Sequence, residues 1–183
     1  MRTGLALALL LSLQAAPLDE FYKFKAGTSW TYKRLEDNTE RKLTGTVIGE
    51  EDGKVRVEWR DPDKDGTSAV AWSVVDGILT VEARKEGESG GLGFALLKAG
   101  CKKDDKWPSP GGEFTHQGKK DVTVPAGTYK DVVWTQFKTG EEGSGVKIDF
   151  YLAPKVGLVK IEIYAKDGGT NRFELTEFKE AAK

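Results

Sequence analysis

The chain has 183 residues, with 28 Lys and Arg against 29 Asp and Glu and a formal net charge of −1. That balance gives no pull toward nucleic acid, and no Lys/Arg cluster offers a groove for phosphates. The lone cysteine, Cys101, excludes an internal disulfide, and the lone histidine, His116, excludes a metal centre built on two or three histidines.

The N-terminus reads MRTGLALALLLSLQAAPLDE. Arg2 precedes a short apolar run from Leu5 to Leu13, and Gln14-Ala15-Ala16-Pro17 follows. This is the layout of a secretory signal peptide cut near Ala15 or Ala16. The run falls short of the roughly 20 apolar residues needed to span a bilayer, so no membrane span is expected. Residues 1–16 are therefore assigned to a signal peptide and 17–183 to a single all-β domain. No cysteine stands at the cut to carry lipid, so no lipid anchor is expected. The expected location is the periplasm or the extracellular space.

Leu18 to Lys25 reads as a short helix with Leu18, Phe21 and Phe24 on one side. After residue 28 the period is two. Lys54 to Arg60, Val146 to Leu152 and Val159 to Tyr164 each alternate apolar and polar residues. Alternation sends one row of side chains to a core and the other to water, as in an antiparallel sheet with one solvated face. Glu51-Asp52-Gly53, Asp65-Gly66, Asp76-Gly77, Gly140 to Gly145 and Asp167-Gly168-Gly169 supply turns. The pattern predicts about ten strands, near 28–35, 41–50, 54–60, 67–75, 78–84, 113–124, 130–138, 146–153, 157–165 and 171–178. Residues 85–112, rich in Gly and Pro, read as an irregular central connection within which Phe94 to Leu97 packs down.

That break suggests two similar halves forming a curved sheet or half-barrel. Phe24-Lys25-Ala26-Gly27 precedes Trp30 as Leu97-Lys98-Ala99-Gly100 precedes Trp107, and the stretch Ala71 to Glu82 aligns with Phe150 to Glu162. Duplication and chance likeness between hairpins both account for this. In Val124-Pro125-Ala126-Gly127-Thr128-Tyr129, Pro125 lacks a backbone donor and Gly127 frees the backbone for a reversal. A hairpin connection with an exposed tip is expected there.

Catalytic signals are weak. His116 reads as a half-exposed strand residue. Cys101 has Lys102 and Lys103 beside it, which would lower its pKa, yet no second catalytic group accompanies it. There is no Gly-x-Ser-x-Gly elbow, and the glycine-rich stretch 87–93 lacks the Lys-Ser/Thr of a phosphate loop. Asp61, Asp63 and Asp65 have the odd-position spacing of a calcium loop, but Trp72 stands where the closing carboxylate belongs, so an acidic hairpin tip is expected. No cofactor is expected. Trp30, Tyr32, Trp59, Trp72 and Trp134 recur along the strands. On one curved face they would line a pocket for an apolar ligand; otherwise they fill a core.

Three stretches in order, Gly27-Thr28-Ser29-Trp30-Thr31-Tyr32, Val124-Pro125-Ala126-Gly127-Thr128-Tyr129-Lys130-Asp131 and Tyr151-Leu152-Ala153-Pro154-Lys155-Val156-Gly157-Leu158-Val159-Lys160, carry a resemblance. Together they resemble a broad group of exported bacterial β-rich proteins and lipoproteins of unknown function. Lys155 departs from that group's usual glycine. The resemblance implies an all-β envelope or secreted protein and no catalytic residues. Two roles follow: non-enzymatic binding of an apolar or peptide-like ligand on a curved sheet, or structural and partner-binding work with another envelope protein. A hydrolase with an unrecognised site is the third.

Overall fold

The computed structural model describes residues 18–36, 39–63, 66–84, 93–140, 145–165 and 168–182. The expected signal peptide, Asp65 and the glycine-rich stretch 87–92 lie outside them. A 3₁₀ turn, Leu18–Phe21, leads into twelve strands: β1 (Ser29–Glu36), β2 (Thr39–Glu51), β3 (Lys54–Arg60), β4 (Thr67–Val75), β5 (Ile78–Arg84), β6 (Gly93–Lys98), β7 (Lys106–Ser109), β8 (Gly112–Val124), β9 (Gly127–Thr139), β10 (Lys147–Ala153), β11 (Gly157–Tyr164) and β12 (Thr170–Lys179). They form one sheet in the order β6-β5-β4-β3-β2-β1-β12-β11-β10-β9-β8-β7. Two six-strand meanders therefore stand side by side, joined by the antiparallel pairing of β1 with β12.

The strands predicted from alternation are all present, and the turn signals Asp52-Gly53 and Asp76-Gly77 act as expected, while Asp65, residues 141–144 and Asp167 of the other turn signals lie outside the described residues. Asp52-Gly53 and Asp76-Gly77 each take positive φ at both residues, 52° and 72°, then 50° and 73°. Two successive positive φ values make the turn whose twist matches a hairpin. Each half also carries glycine at positive φ in matching places, Gly27 with Gly100 and Gly77 with Gly157. The strand β8 stops at Val124, Pro125 is exposed, and β9 begins at Gly127.

Three expectations need correction. The N-terminal element is a four-residue 3₁₀ turn, not a helix reaching Lys25. The stretch 85–112 is not wholly irregular, because β6 and β7 run through it. They escape detection for physical reasons. In β6 the consecutive Ala95, Leu96 and Leu97 are all buried, since a register shift opposite Leu79 and Thr80 breaks the alternation. The four-residue β7 contains Pro108, which is tolerated there because β7 is an edge strand.

The third correction concerns the half-barrel. The sheet curls until its two edges meet. The Ala95 N–H of β6 donates to Ser109 Oγ at 3.1 Å, and the Trp107 indole N–H of β7 donates to the Ala95 carbonyl at 2.5 Å. Side chains, not a backbone ladder, close this seam. Phe94 of β6 reaches across it to Phe114, Phe137 and Phe150, with ring centroids 6.5, 5.3 and 5.9 Å away. The core thus runs through both halves inside one curved sheet.

Candidate functional site

Trp30 and Tyr32 alternate on β1, Trp59 lies on β3 and Trp72 on β4, all in the inward row. Cross-strand pairing brings the four together with Val57 and Leu158. Tyr32 and Trp59 have ring centroids 5.6 Å apart. Trp59 lies over Gly45, its cross-strand partner, where a β-carbon would come within 2.7 Å of the indole. Of the five aromatic residues singled out in the sequence, the structure brings these four together.

The chamber they form is filled from within. Phe21, the last residue of the 3₁₀ turn, and Tyr22 and Phe24 after it pack against these side chains, and the remaining cavity is about 20 Å³. That volume accommodates about one water molecule. Phe24 meets Trp30 edge-on at 5.0 Å. The Lys155 N–H donates to the Glu20 carbonyl at 2.7 Å, pinning the segment to the β10–β11 turn. Gly157 permits this docking: a β-carbon there would stand 3.1 Å from the Phe21 carbonyl oxygen. The indole N–H of Trp30 donates to the Val156 carbonyl at 2.7 Å, and the Tyr32 hydroxyl to that of Leu158 at 2.5 Å. Burial, with Tyr129 nearby, holds the Tyr32 phenol well above its ordinary pKa. One polar atom of the chamber residues is left over: the Trp72 indole nitrogen is buried without a partner.

Trp134 does not belong to this group. It points outward from β9, opposite Tyr151 of β10, and the rings stack with centroids 6.1 Å apart and 16° between planes. Around them the outward rows of β8 to β12 form a polar network that no single-strand pattern reveals. The Tyr151 hydroxyl donates to Glu162 Oε2 at 2.8 Å, and Lys160 Nζ lies 3.0 Å from Glu162 Oε1. Burial pushes the Glu162 carboxyl up, but the Lys160 and Tyr151 hydrogen bonds and the charges of Lys160 and Arg172 outweigh it and hold the pKa low. Gln136 Nε2 donates to Asp149 Oδ1 at 2.8 Å. Lysine ammonium groups cap the rings: Lys147 lies 3.7 Å from the Tyr164 centroid, and Lys120 lies 4.0 Å from that of Trp134. Burial, followed by the Glu162 charge, pushes the Tyr164 phenol up to about 12. Alternation placed these residues in the water-facing row, whereas their convergence depends on cross-strand register.

The remaining candidates are dispersed. His116 is buried rather than half-exposed, at 7% of its surface, and neither ring nitrogen has a partner. Its cross-strand neighbour Thr135 is likewise buried with an unpartnered hydroxyl. Cys101 is half-buried, and burial, then Asp105, pushes its thiol up. This reverses the lowering expected from Lys102 and Lys103. In the acidic loop, Asp61 Oδ1 accepts the Asp63 N–H at 3.0 Å, an ordinary turn contact, while Asp65 lies outside the described residues. No cluster of three metal-ligating side chains occurs among the described residues.

No protein-family model and no curated protein sequence matches the chain. Among solved structures, the fold is similar to a protein from Bacteroides fragilis described as exported with a YmcC-like fold, at TM-score 0.52 and 12% identity, covering 87% of this chain and 99% of that one. It is also similar to a protein from Parabacteroides distasonis described as a lipoprotein, at TM-score 0.53 and 14% identity, covering 87% and 97%. At these identities the likeness is one of fold.

Proposed function

We propose that this is an exported, non-enzymatic β-domain of the cell envelope, of the group its motifs resemble, that works by binding a partner at its surface. The filled chamber carries this reading. The aromatic side chains suited to an apolar ligand are already packed against Phe21, Tyr22 and Phe24, leaving about 20 Å³. The outward rows, with Lys147, Asp149, Lys160, Glu162, Arg172 and Glu174, suit contact with water or a protein rather than lipid. His116 and Cys101 lie in separate settings, one buried without a bonded carboxylate and the other with a raised pKa, which supports the non-enzymatic reading. Titration of the mature protein with the apolar fluorophore N-phenyl-1-naphthylamine tests it. No saturable signal is expected, and stoichiometric binding overturns the surface reading.

The unpartnered Trp72 indole N–H favours a second reading. An apolar or peptide-like ligand carrying a hydrogen-bond acceptor would displace the N-terminal aromatic segment and bond that nitrogen. Under this reading the fluorophore binds, and Phe24→Ala strengthens its binding.

A further inference from the structure

We propose that Lys120 and Trp134 form the contact point for an acidic peptide segment of the partner, a proposal that rests on the surface-binding reading above. Both residues lie on the outward face, away from the chamber. The Lys120 ammonium sits 4.0 Å from the Trp134 ring centroid and 4.7 Å from that of Tyr151. Among the described residues it has no carboxylate partner, and its side chain is exposed. The Trp134 indole nitrogen beside it is buried from water and has no hydrogen-bond partner.

The neighbouring charges explain why this pair is left over. The carboxylates around the pair are each engaged: Asp149 by Gln136 and Lys147, Glu162 by Tyr151, Lys160 and Arg172, Glu174 by Lys160 and Arg172, Glu113 by Lys106 and Asp121 by Lys130. Against them stand Lys120, Lys138, Lys147, Lys160 and Arg172; Lys120 and Lys138 have no carboxylate partner among the described residues, and of these two it is Lys120 that rests on the Trp134 and Tyr151 rings. A buried donor without an acceptor is costly, and a cation resting on two aromatic faces holds its charge where an anion reaches it. A carboxylate placed beside Lys120 supplies the counter-charge that Lys120 lacks, directly over the Trp134 ring, so that its arrival changes the surroundings of the indole. The face is an open strand surface, which suits a side chain presented by an extended peptide. The stacked Trp134 and Tyr151 rings supply apolar area beneath it.

The test follows the indole N–H signals by NMR while hexaglutamate is added to the mature protein, with hexalysine and inorganic phosphate as separate arms. The Trp134 signal is assigned by its loss in Trp134→Phe. Hexaglutamate is expected to shift that signal saturably, hexalysine and phosphate are not, and Lys120→Gln weakens the binding by about fivefold. A Trp134 signal unmoved at millimolar hexaglutamate, an equal shift with phosphate, or unchanged affinity in Lys120→Gln overturns the proposal. Lys120 is exposed, so its substitution leaves the fold intact. The two readings fail separately: an unmoved indole removes this site alone, whereas fluorophore binding in the chamber removes the surface reading.

Discussion

The Trp30 indole N–H donates to the carbonyl of Val156, 126 positions further along the chain, at 2.7 Å. With the Tyr32 bond to Leu158, it joins the Gly-x-x-Trp-x-Tyr stretch to the Ala-Pro-Lys-Val-Gly turn across the join of the two meanders. The third stretch lies nearby, with the Ala126 N–H donating to the Leu175 carbonyl at 3.0 Å. The motifs that carry the family resemblance are a structural clamp.

Trp30→Phe keeps most of the ring and deletes the donor, leaving the Val156 carbonyl without it. A loss of about 1–3 kcal/mol is expected. Chemical denaturation checks this through a lower midpoint at unchanged slope.

Tyr32 makes the clamp sensitive to alkali. Its phenol titrates near 10.0 when unfolded and well above that when folded, chiefly because of burial. Above pH 10 the unfolded chain therefore binds fewer protons than the folded one. Stability is full below that pH and falls above it, by up to about 1.4 kcal/mol per pH unit from this one group. Denaturation midpoints between pH 8 and 11.5 should fall at the alkaline end, with a shallower fall in Tyr32→Phe.

The β10–β11 turn separates two glycine roles. Lys155 holds φ at 64°, a conformation that glycine adopts without strain. Lys155→Gly is expected to change stability by less than about 1 kcal/mol, in the stabilising direction. Gly157, at φ 83°, also admits the N-terminal segment. Gly157→Ala is expected to release that segment, seen as faster proteolysis near residue 24.

The seam between β6 and β7 relies on side chains. Trp107→Phe removes the bond to the Ala95 carbonyl. Hydrogen exchange in Gly93–Lys98 should quicken while exchange in β1 and β12 stays slow.

Much of this architecture was legible in the alternation of single strands and in the Asp-Gly and Pro125 signals, because hairpins are local. The strands β6 and β7 were not, since one packs three consecutive side chains and the other is four residues long. The aromatic residues were identifiable as a group, but not their separation. Trp134 occupies an outward position because of its place in β9, and the filling of the chamber depends on Phe21 and Phe24 folding back onto β10 and β11. Such long-range contacts leave no period in the sequence. The outer network is a similar case: its rows were visible, its cross-strand partners were not.

Native mass spectrometry of the mature protein purified from its own host, with partner contacts preserved at low salt, tests the surface-binding account most directly. The account predicts the bare chain together with a protein partner that dissociates as salt rises, and no bound small molecule. A stoichiometric apolar molecule released only on denaturation would contradict it.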